Sequence, residues 1–293
     1  MKKVLLIVNP VAGKKQILKS LEEVDKAFYD NGCECDIYLT KKRGDATAKV
    51  LSSAENYDIV ACGGGDGTYN ELISGIATKN LSIPVGYIPA GSTNDFAATL
   101  GISTVPQKAA ETVATGTVRR LDIGHFGDSY FSYVASFGAF TATSYSTSQK
   151  TKNMLGHMAY IFGGASELVS IKPYNVKIEA DENIYEGDFL FGAISNTTSI
   201  GGMVKLDKTL VDLSDGLFEV LLIRMPKSRT QLPGIFMSVM KGDFSDEHIE
   251  FFRTGSIKIE TDKPLEWSLD GEHATSNGTI LIENIPGAIN LIL

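Results

Sequence analysis

The sequence predicts two domains, an α/β domain built on a Rossmann-like parallel sheet and an all-β sandwich that follows it. Up to Asp122, strand-like and helix-like segments alternate, which is typical of a parallel sheet covered by helices on both faces. After Asp122, apolar residues recur mostly at every second position, which is typical of half-buried strands. We therefore divide the chain into residues 1–122 and residues 123–293.

The elements of the first domain are predicted from apolar runs that end at turn residues and from apolar residues at helical spacing. The predicted strands are 3–8, 35–40, 58–62 and 85–91. The predicted helices are 14–31, 44–55, 68–78 and 106–115. Each strand precedes a helix in this order, so the carboxyl ends of the strands are expected to meet at one edge of the sheet.

The second domain is predicted from period-two segments that are broken by two helical insertions. The predicted strand regions are 123–140, 174–195, 217–224, 256–261, 265–269, 279–283 and 288–293. The helical insertions are expected near 152–170 and 228–242.

Composition excludes several classes of protein. The 293 residues carry a formal net charge of −8, which argues against a nucleic-acid binder because such proteins usually have a basic surface. No apolar stretch approaches the roughly 18 residues of a membrane span. The cysteines, Cys33, Cys35 and Cys62, have no framework spacing, which indicates reduced thiols and a cytoplasmic protein.

The most informative stretch is GGGDGT, residues 63–68, between a predicted strand and a predicted helix. Glycines let the backbone approach a phosphate, and the start of a helix supplies unpaired N–H groups. The stretch fits neither the Rossmann fingerprint nor the P-loop. A plain structural turn is the alternative. Asp66 favours a functional turn, because a carboxylate beside a phosphate needs a cation or a donor between them.

Residues 63–71, GGGDGTYNE, resemble the G-G-D-G-T-x-N-E signature of the diacylglycerol-kinase catalytic family, and the chain looks most like its soluble bacterial lipid kinases. Four further motifs match in the family's order: NPVAG (9–13), IPAGSTNDFA (88–97), DLSDGLFEV (212–220) and SLDGE (268–272). The resemblance covers essentially the whole chain. It implies a first domain of the phosphofructokinase and NAD-kinase type.

The resemblance implies that ATP binds at the carboxyl edge of the first sheet. Asn70 and Glu71 are also interpreted as structural residues, with Glu71 as a capping acid, and this choice is left open. The implied nucleotide contacts are Asn9, Pro10, Gly13, Thr40, Gly64, Gly65, Asp66, Gly67, Thr68, Asn70, Glu71, Ser92, Asn94 and Asp95.

Magnesium is the second implied cofactor. Single aspartates on separate loops suit a Mg²⁺ that keeps several waters, and the resemblance implies a further Mg²⁺ held in the second domain by Asp215 and backbone carbonyls. Ser214 replaces the first acid of the usual D-D-G pair, which weakens that site. Plain turn residues are the alternative at positions 122 and 212. The implied magnesium ligands are Asp95, Asp122, Asp212, Asp215 and Leu217.

The turn LDGE supplies Asp270 or Glu272 as the general base toward a lipid hydroxyl, and the sequence does not choose between them. A hairpin-turn acid is the alternative for Glu272, because Asp-Gly is itself a hairpin signal. The implied activity is transfer of the γ-phosphate of ATP to a lipid hydroxyl, with diacylglycerol as the first expected acceptor and phosphatidic acid as the product.

Several alternatives stay open. The acceptor could instead be phosphatidylglycerol, a sphingoid base or NAD, and the chain could be a non-catalytic nucleotide- or lipid-binding regulator. The expected partner is a lipid at the inner face of the membrane, and a homodimer is not excluded. Residues 150–163 and 232–241 are either interfacial helices or helices that pack on the sandwich.

Overall fold

The structure is a computed structural model that describes residues 1–92, 94–139, 172–200, 204–207, 209 and 211–293, without the side chains of 14–16 and 205. The chain forms two compact units. The first contains Met1–Ile123 and Ile285–Leu293, and the second contains Gly124–Asn284. Residues 285–293, which the sequence analysis assigns to the second domain, thus belong to the first unit.

The regular elements are numbered in chain order. The helices are α1 (Gln16–Lys19), α2 (Leu21–Asp30), α3 (Asp45–Ser53), α4 (Asp66–Thr78), α5 (Asp95–Leu100), α6 (Pro106–Thr115) and α7 (Leu232–Met240). The strands are β1 (Lys2–Val8), β2 (Cys33–Leu39), β3 (Ile59–Gly64), β4 (Pro84–Pro89), β5 (Val118–Phe126), β6 (Ser129–Phe131), β7 (Val134–Gly138), β8 (Tyr174–Ala180), β9 (Asn183–Ser195), β10 (Ser199–Ile200), β11 (Val204–Lys205), β12 (Phe218–Arg224), β13 (Ile249–Thr254), β14 (Ser256–Glu260), β15 (Leu265–Leu269), β16 (Glu272–Ser276) and β17 (Thr279–Ile292).

The first unit contains a parallel sheet with the strand order β2–β1–β3–β4–β17. Helices cover both faces, because alternate residues of β1 point in opposite directions and both sets are buried. One face packs against α2 and α6. Its core includes Val4, Leu6, Val8, Val24, Phe28 and Val113. The predicted α/β class is confirmed.

Helices α3 and α4 pack against each other. A Cβ added at Gly75 of α4 would lie 2.7 Å from the Cβ of Val50 in α3, so the two helices approach as closely as a glycine allows. The contact lies in the later half of each helix and fixes α4, whose start carries the glycine-rich motif, against α3.

The second unit is built from antiparallel strands, and the predicted all-β sandwich class is confirmed. Strand β9 pairs with β8 along its first part and with β7 and β12 along its second part. Aromatic side chains fill the core. In one contact the rings of Phe137 and Trp267 lie 5.0 Å apart, edge to face.

Several element boundaries differ from the prediction. The predicted helix 14–31 is interrupted at Ser20, whose φ of −103° leaves the helical region. Helix α5 follows Asn94 and is too short to leave a periodic pattern. The regions 279–283 and 288–293 form one continuous strand, β17. The strand β13 was not predicted, and the insertion near 152–170 lies outside the described residues.

The helical insertion near 228–242 is confirmed as a short 3₁₀ turn followed by α7. Four of its apolar side chains are buried, although Met237 is 48% exposed. The interpretation that residues 232–241 pack on the second unit is therefore favoured. Residues 150–163 are not described. In the described parts of the chain, no helix has both the length and the apolar character needed to cross a membrane.

Candidate functional site

The carboxyl ends of the parallel strands lie together at one edge of the first unit. The backbone N–H of Thr40, after β2, donates to the Val8 carbonyl at 2.9 Å, and the N–H of Ala90, after β4, donates to the Gly64 carbonyl at 2.7 Å. Asn9 directly follows β1. The loops that carry the predicted nucleotide contacts therefore start side by side.

Asn9 connects the first loop to the glycine-rich turn. Its Nδ2 donates to the Thr68 Oγ1 at 3.2 Å, and its Oδ1 accepts from the backbone N–H of Val11 at 3.1 Å. Pro10 lies inside the turn that this second bond closes. The buried Thr68 hydroxyl accepts here, so its own proton remains available for a phosphate oxygen.

Glycines bring three loops into direct backbone contact. A Cβ added at Gly91 would lie 2.6 Å from the Gly65 Cα, and a Cβ added at Gly13, whose φ is +50°, would lie 2.1 Å from the Ala90 carbonyl oxygen. No side chain larger than hydrogen fits at these contacts. The sequence GGGDGT is therefore more than a flexible turn, because it provides close packing of the loops after β1, β3 and β4.

Asp66, at the first position of α4, connects the glycine-rich turn to α5. Its carboxylate accepts from the backbone N–H groups of Asp95 at 3.2 Å and Phe96 at 3.4 Å, and from the Tyr87 hydroxyl at 3.4 Å. Burial raises the pKa of the Asp66 carboxyl, and these hydrogen bonds oppose that rise. The sequence analysis did not identify Tyr87 as a partner.

Asp95 is the second carboxylate of this edge. Burial and, to a smaller extent, the charge of Asp66 raise the pKa of the Asp95 carboxyl. Two neighbouring carboxylates that repel each other attract a cation, and oxygen ligands are those that Mg²⁺ prefers. The described residues contain no cluster of three or more His, Cys, Asp or Glu suited to a metal. Asp95, with the charge of Asp66 beside it, therefore fits a Mg²⁺ that keeps most of its waters.

Asn94 fixes the shape of the loop after β4. It has the left-handed conformation, with φ of 54°, and both of its side-chain groups bond to Gly91: Oδ1 accepts from the N–H at 2.8 Å, and Nδ2 donates to the carbonyl at 3.1 Å. Because its side chain is occupied in this way, Asn94 positions the loop. Ser92 lies exposed on the same loop.

Glu71 caps a neighbouring helix. Its Oε1 accepts from the backbone N–H of Gly44 at 2.8 Å and its Oε2 from that of Ala46 at 3.1 Å, at the start of α3. The structure thus favours the capping interpretation over a nucleotide contact. Gly67 and Asn70 lie in the first turns of α4, and Asn70 Oδ1 lies 3.5 Å from the Ser74 hydroxyl, which donates to it.

The surroundings of Asp122 favour a structural role over the magnesium ligand expected from the sequence. Its side chain is 1% exposed, and its Oδ1 accepts from the backbone N–H of Gly287 at 2.6 Å. The Arg120 guanidinium donates to the carbonyl of the same Gly287 at 3.3 Å. Asp122 and Arg120 therefore connect β5 to Gly287 of β17.

In the second unit, the LDGE motif forms a tight hairpin between β15 and β16. Asp270 and Gly271 have φ of 49° and 86°, and Leu269 pairs with Glu272 across the turn. Two consecutive positive φ values are typical of a type I′ turn. The hairpin signal in the sequence is confirmed.

The two candidate bases of this hairpin have different surroundings. The Asp270 carboxylate is buried and accepts from the backbone N–H groups of Tyr133 and Val134, each at 3.0 Å, and from that of Ser132. Because it is buried and both of its oxygens already accept from backbone donors, it is poorly placed to accept a substrate proton. Glu272 is exposed at the start of β16. The geometry therefore favours Glu272 as the base.

The acidic turn before β12 is closed by its own carboxylates. The backbone N–H of Ser214 donates to Asp212 Oδ1 at 3.1 Å, and that of Leu217 donates to Asp215 Oδ1 at 3.0 Å. Asp215 Oδ2 bonds to the Arg253 guanidinium. The predicted ligands of a second Mg²⁺ thus lie together, but both oxygens of Asp215 already have partners. The residues present do not fit a Mg²⁺ here.

Glu219 follows this turn on β12 and is fully buried. Burial raises the pKa of its carboxyl to about 7, although the Arg253 charge lowers it. Arg253 Nε lies 3.3 Å from Glu219 Oε1 as an ion pair rather than an aligned hydrogen bond. Neither residue was identified in the sequence analysis. The sequence signal that could have identified Glu219 is an acidic residue at an inward-facing position of the apolar segment LFEVLLIR.

One cavity of the first unit lies away from this site. It has a volume of about 570 Å³ and is lined by Lys2, Ile59 and Pro84 among others. These residues begin β1, β3 and β4, so the cavity lies at the amino ends of the strands, and the predicted nucleotide contacts lie at the carboxyl ends.

Comparison with known proteins agrees with these features. Residues 3–126 match a family model described as the diacylglycerol kinase catalytic domain, and residues 134–293 match one described as the YegS C-terminal NAD kinase beta sandwich-like domain. The fold and the matches define a two-domain kinase with a hydroxyl acceptor. The chain belongs to the diacylglycerol kinase catalytic-domain family, which confirms the resemblance seen in the motifs.

Relatives of the same kind match most of the chain. A diacylglycerol kinase of Bacillus subtilis (strain 168) is 33% identical over 93% of this chain and 90% of its own length. One from Staphylococcus saprophyticus is 32% identical over 93% and 89%. A crystal structure of a diacylglycerol kinase from Bacillus anthracis str. Sterne superposes with a TM-score of 0.77 at 25% identity, covering 99% of this chain and 96% of the other.

Proposed function

We propose that the chain is an ATP- and Mg²⁺-dependent lipid kinase that transfers the γ-phosphate of ATP to a lipid hydroxyl. Diacylglycerol is the proposed acceptor, which gives phosphatidic acid. The observation that carries the proposal is the contact of three glycine-containing loops at the carboxyl edge of the parallel sheet, with Asp66 and Asp95 beside them. The relatives named diacylglycerol kinase support the choice of acceptor.

The loops provide the groups that phosphates need. Backbone N–H groups at the start of α4 and the Thr68 hydroxyl would contact the phosphate oxygens, while the bond from Asn9 keeps that hydroxyl in place. Asp95, with the charge of Asp66 beside it, would hold Mg²⁺ through its waters. When bound, Mg²⁺ neutralises the charge that develops on the transferred phosphoryl group.

Glu272 is the proposed general base, which accepts the proton of the acceptor hydroxyl as phosphoryl transfer proceeds. Asp270 is proposed as its positioning residue. Three backbone hydrogen bonds fix the Asp270 carboxylate and hence the hairpin that carries Glu272. This division of roles follows from burial and hydrogen bonding, which the sequence does not provide.

We propose that the enzyme acts at the cytoplasmic face of the membrane as a peripheral protein, because a diacylglycerol substrate resides in the bilayer. Its partner is therefore a lipid surface rather than a nucleic acid. The net charge of −8 supports this choice, since a nucleic-acid binder usually has a basic surface.

The decisive experiment measures transfer of labelled γ-phosphate from ATP to diacylglycerol, phosphatidylglycerol, a sphingoid base, an undecaprenyl-type alcohol and NAD, with lipids in mixed micelles. We expect label in diacylglycerol and none without Mg²⁺. Label in NAD alone would move the chain to another kinase class. ATP binding without transfer to any acceptor would favour the regulator.

A matched pair of variants tests the base in the same assay. Glu272→Gln should lower kcat by about 10²- to 10⁴-fold, the usual contribution of a general base. Glu266→Gln is the control, because Glu266 lies exposed on β15 of the same hairpin and pairs with His273. Equal rates for Glu272→Gln and Glu266→Gln would remove Glu272 from the reaction.

A further inference from the structure

Arg253 lies between two carboxylates of the second unit. Its Nη2 bonds to Asp215 Oδ2, and its Nε lies 3.3 Å from Glu219 Oε1. Asp215 belongs to the acidic turn, residues 212–217, and Glu219 follows that turn on β12. One guanidinium thus contacts a carboxylate of the turn and a fully buried carboxylate of the adjoining strand.

The sheet register fixes this position. Glu219 of β12 and Arg253 of β13 are direct cross-strand partners in an antiparallel pair, so their side chains lie on the same face. A guanidinium is planar and presents several N–H donors, which allows it to bond two carboxylates at once. The strand pairing that places Arg253 opposite Glu219 therefore also brings the Arg253 guanidinium to Asp215.

A divalent cation at this turn would need the Asp215 oxygens. Asp215 Oδ1 accepts from the Leu217 N–H, and Oδ2 is bonded to Arg253. Position 214, where the family motif has an acid, is a serine in this chain. Compared with the family motif, the turn thus lacks one carboxylate at position 214. The Arg253 guanidinium already bonds the carboxylate of Asp215.

We propose that Arg253 is the resident cation of the acidic turn and replaces the Mg²⁺ that the family motif implies there. The guanidinium neutralises Asp215 and offsets part of the cost of burying Glu219. Folding of the second unit then does not depend on a divalent cation at this turn.

Removal of Arg253 should convert the turn into a cation site. Without the guanidinium, the Asp215 carboxylate of this turn loses its counter-charge, with Asp212 close by in the chain, and such oxygen donors attract Mg²⁺ or Mn²⁺. The proposal therefore predicts that Arg253 and a divalent cation compete for the Asp215 carboxylate. The inference is separate from the proposed function, because it needs neither nucleotide nor acceptor.

The test follows the amide NMR signals of residues 215–219 in the full chain, without nucleotide, while Mn²⁺ is added. Wild type should show no saturable broadening of these signals up to about 1 mM Mn²⁺, the weak end of protein oxygen sites. Arg253→Gln should show saturable broadening with a Kd lower by at least a factor of roughly ten. Arg224→Gln is the matched control, because Arg224 of β12 pairs with Glu250 at 2.9 Å, away from the turn.

Thermal unfolding gives a second readout. The Tm of wild type and of Arg224→Gln should be the same in EDTA and in excess Mg²⁺, whereas Arg253→Gln should have a lower Tm that Mg²⁺ partly restores. Saturable broadening in wild type at submillimolar Mn²⁺ would overturn the proposal, and so would identical Mn²⁺ titrations of wild type and Arg253→Gln. If Arg253→Gln does not fold, the wild-type titration still decides.

Discussion

Asp270 and Val134 are joined by two reciprocal hydrogen bonds. The Val134 N–H donates to the Asp270 carboxylate at 3.0 Å, and the Asp270 N–H donates to the Val134 carbonyl at 2.9 Å. Together with the donors at Ser132 and Tyr133, they fix the hairpin of β15 and β16 to the start of β7. The LDGE motif therefore has a structural acid followed, two residues later, by an exposed one.

We expect Asp270→Ala to lower the free energy of unfolding by about 3 kcal/mol, because it leaves buried backbone N–H groups without an acceptor. Urea unfolding followed by circular dichroism measures this change. Glu272→Gln is the control and should alter stability by less than about 0.5 kcal/mol, since its side chain is exposed. A fully stable Asp270→Ala would contradict the structural role.

Glu71→Ala should lower the free energy of unfolding by about 1–2 kcal/mol, the usual cost of a lost helix cap, because two N–H groups at the start of α3 lose their acceptor. Glu71→Gln keeps one acceptor oxygen and should lose less. Nucleotide affinity, measured by calorimetry, should stay unchanged in both. Loss of ATP binding by a stably folded Glu71→Gln would show that the carboxylate contacts the nucleotide.

Gly91→Ala should weaken ATP binding by at least roughly tenfold. The added Cβ would lie 2.6 Å from the Gly65 Cα, so the loops after β3 and β4 must separate. Gly234→Ala is the matched control, because Gly234 lies within α7 and an added Cβ there has nothing within 4 Å. The control should bind ATP normally and gain up to about 1 kcal/mol of stability. Equal ATP affinities of the two variants would refute the role of this contact.

Glu219 should make stability depend on pH. Burial raises its pKa in the folded protein to about 7 from 4.5, so the folded state binds this proton more tightly than the unfolded state. Its contribution to stability is therefore largest below pH 4.5 and falls as the pH rises toward about 7. Urea unfolding of wild type and Glu219→Gln near pH 5 and near pH 8 should show a smaller decrease in the variant. Equal decreases would mean that Glu219 is charged at both values.

Sequence reasoning brought the candidate residues of the first unit together, because strand order alone places the ends of parallel strands at one edge. Asn9, Thr40, Gly65 and Asp66 lie at that edge as predicted. The motif left open whether Glu71 caps a helix or contacts the nucleotide. Glu71 lies within the signature GGGDGTYNE, yet its carboxylate caps α3, which begins 26 residues earlier in the chain.

The site residues that the structure gives a different setting from the expected one have partners far along the chain. Asp122 was interpreted as a magnesium ligand because single aspartates on separate loops suit a hydrated Mg²⁺, whereas the Gly287 N–H that bonds it lies 165 residues away. The same holds for Asp215, since Arg253 is 38 residues further on. Local spacing identifies which carboxylates exist, whereas only the fold shows which of them already have a donor.

Strand β17 has a consequence for the order of folding during synthesis. Its later part pairs with β4 through Asn290 and Leu291, and Gly287 bonds to Asp122, yet these residues emerge from the ribosome after the whole second unit. At roughly 5–20 residues per second, synthesis of the second unit takes about 10 s or more, and during this time the first unit lacks this strand. Until β17 is synthesised, β4 is an unpaired edge strand of this sheet. An unpaired edge strand is a site where another chain can pair. Premature termination of synthesis anywhere in the second unit would therefore also leave the first unit without its last strand.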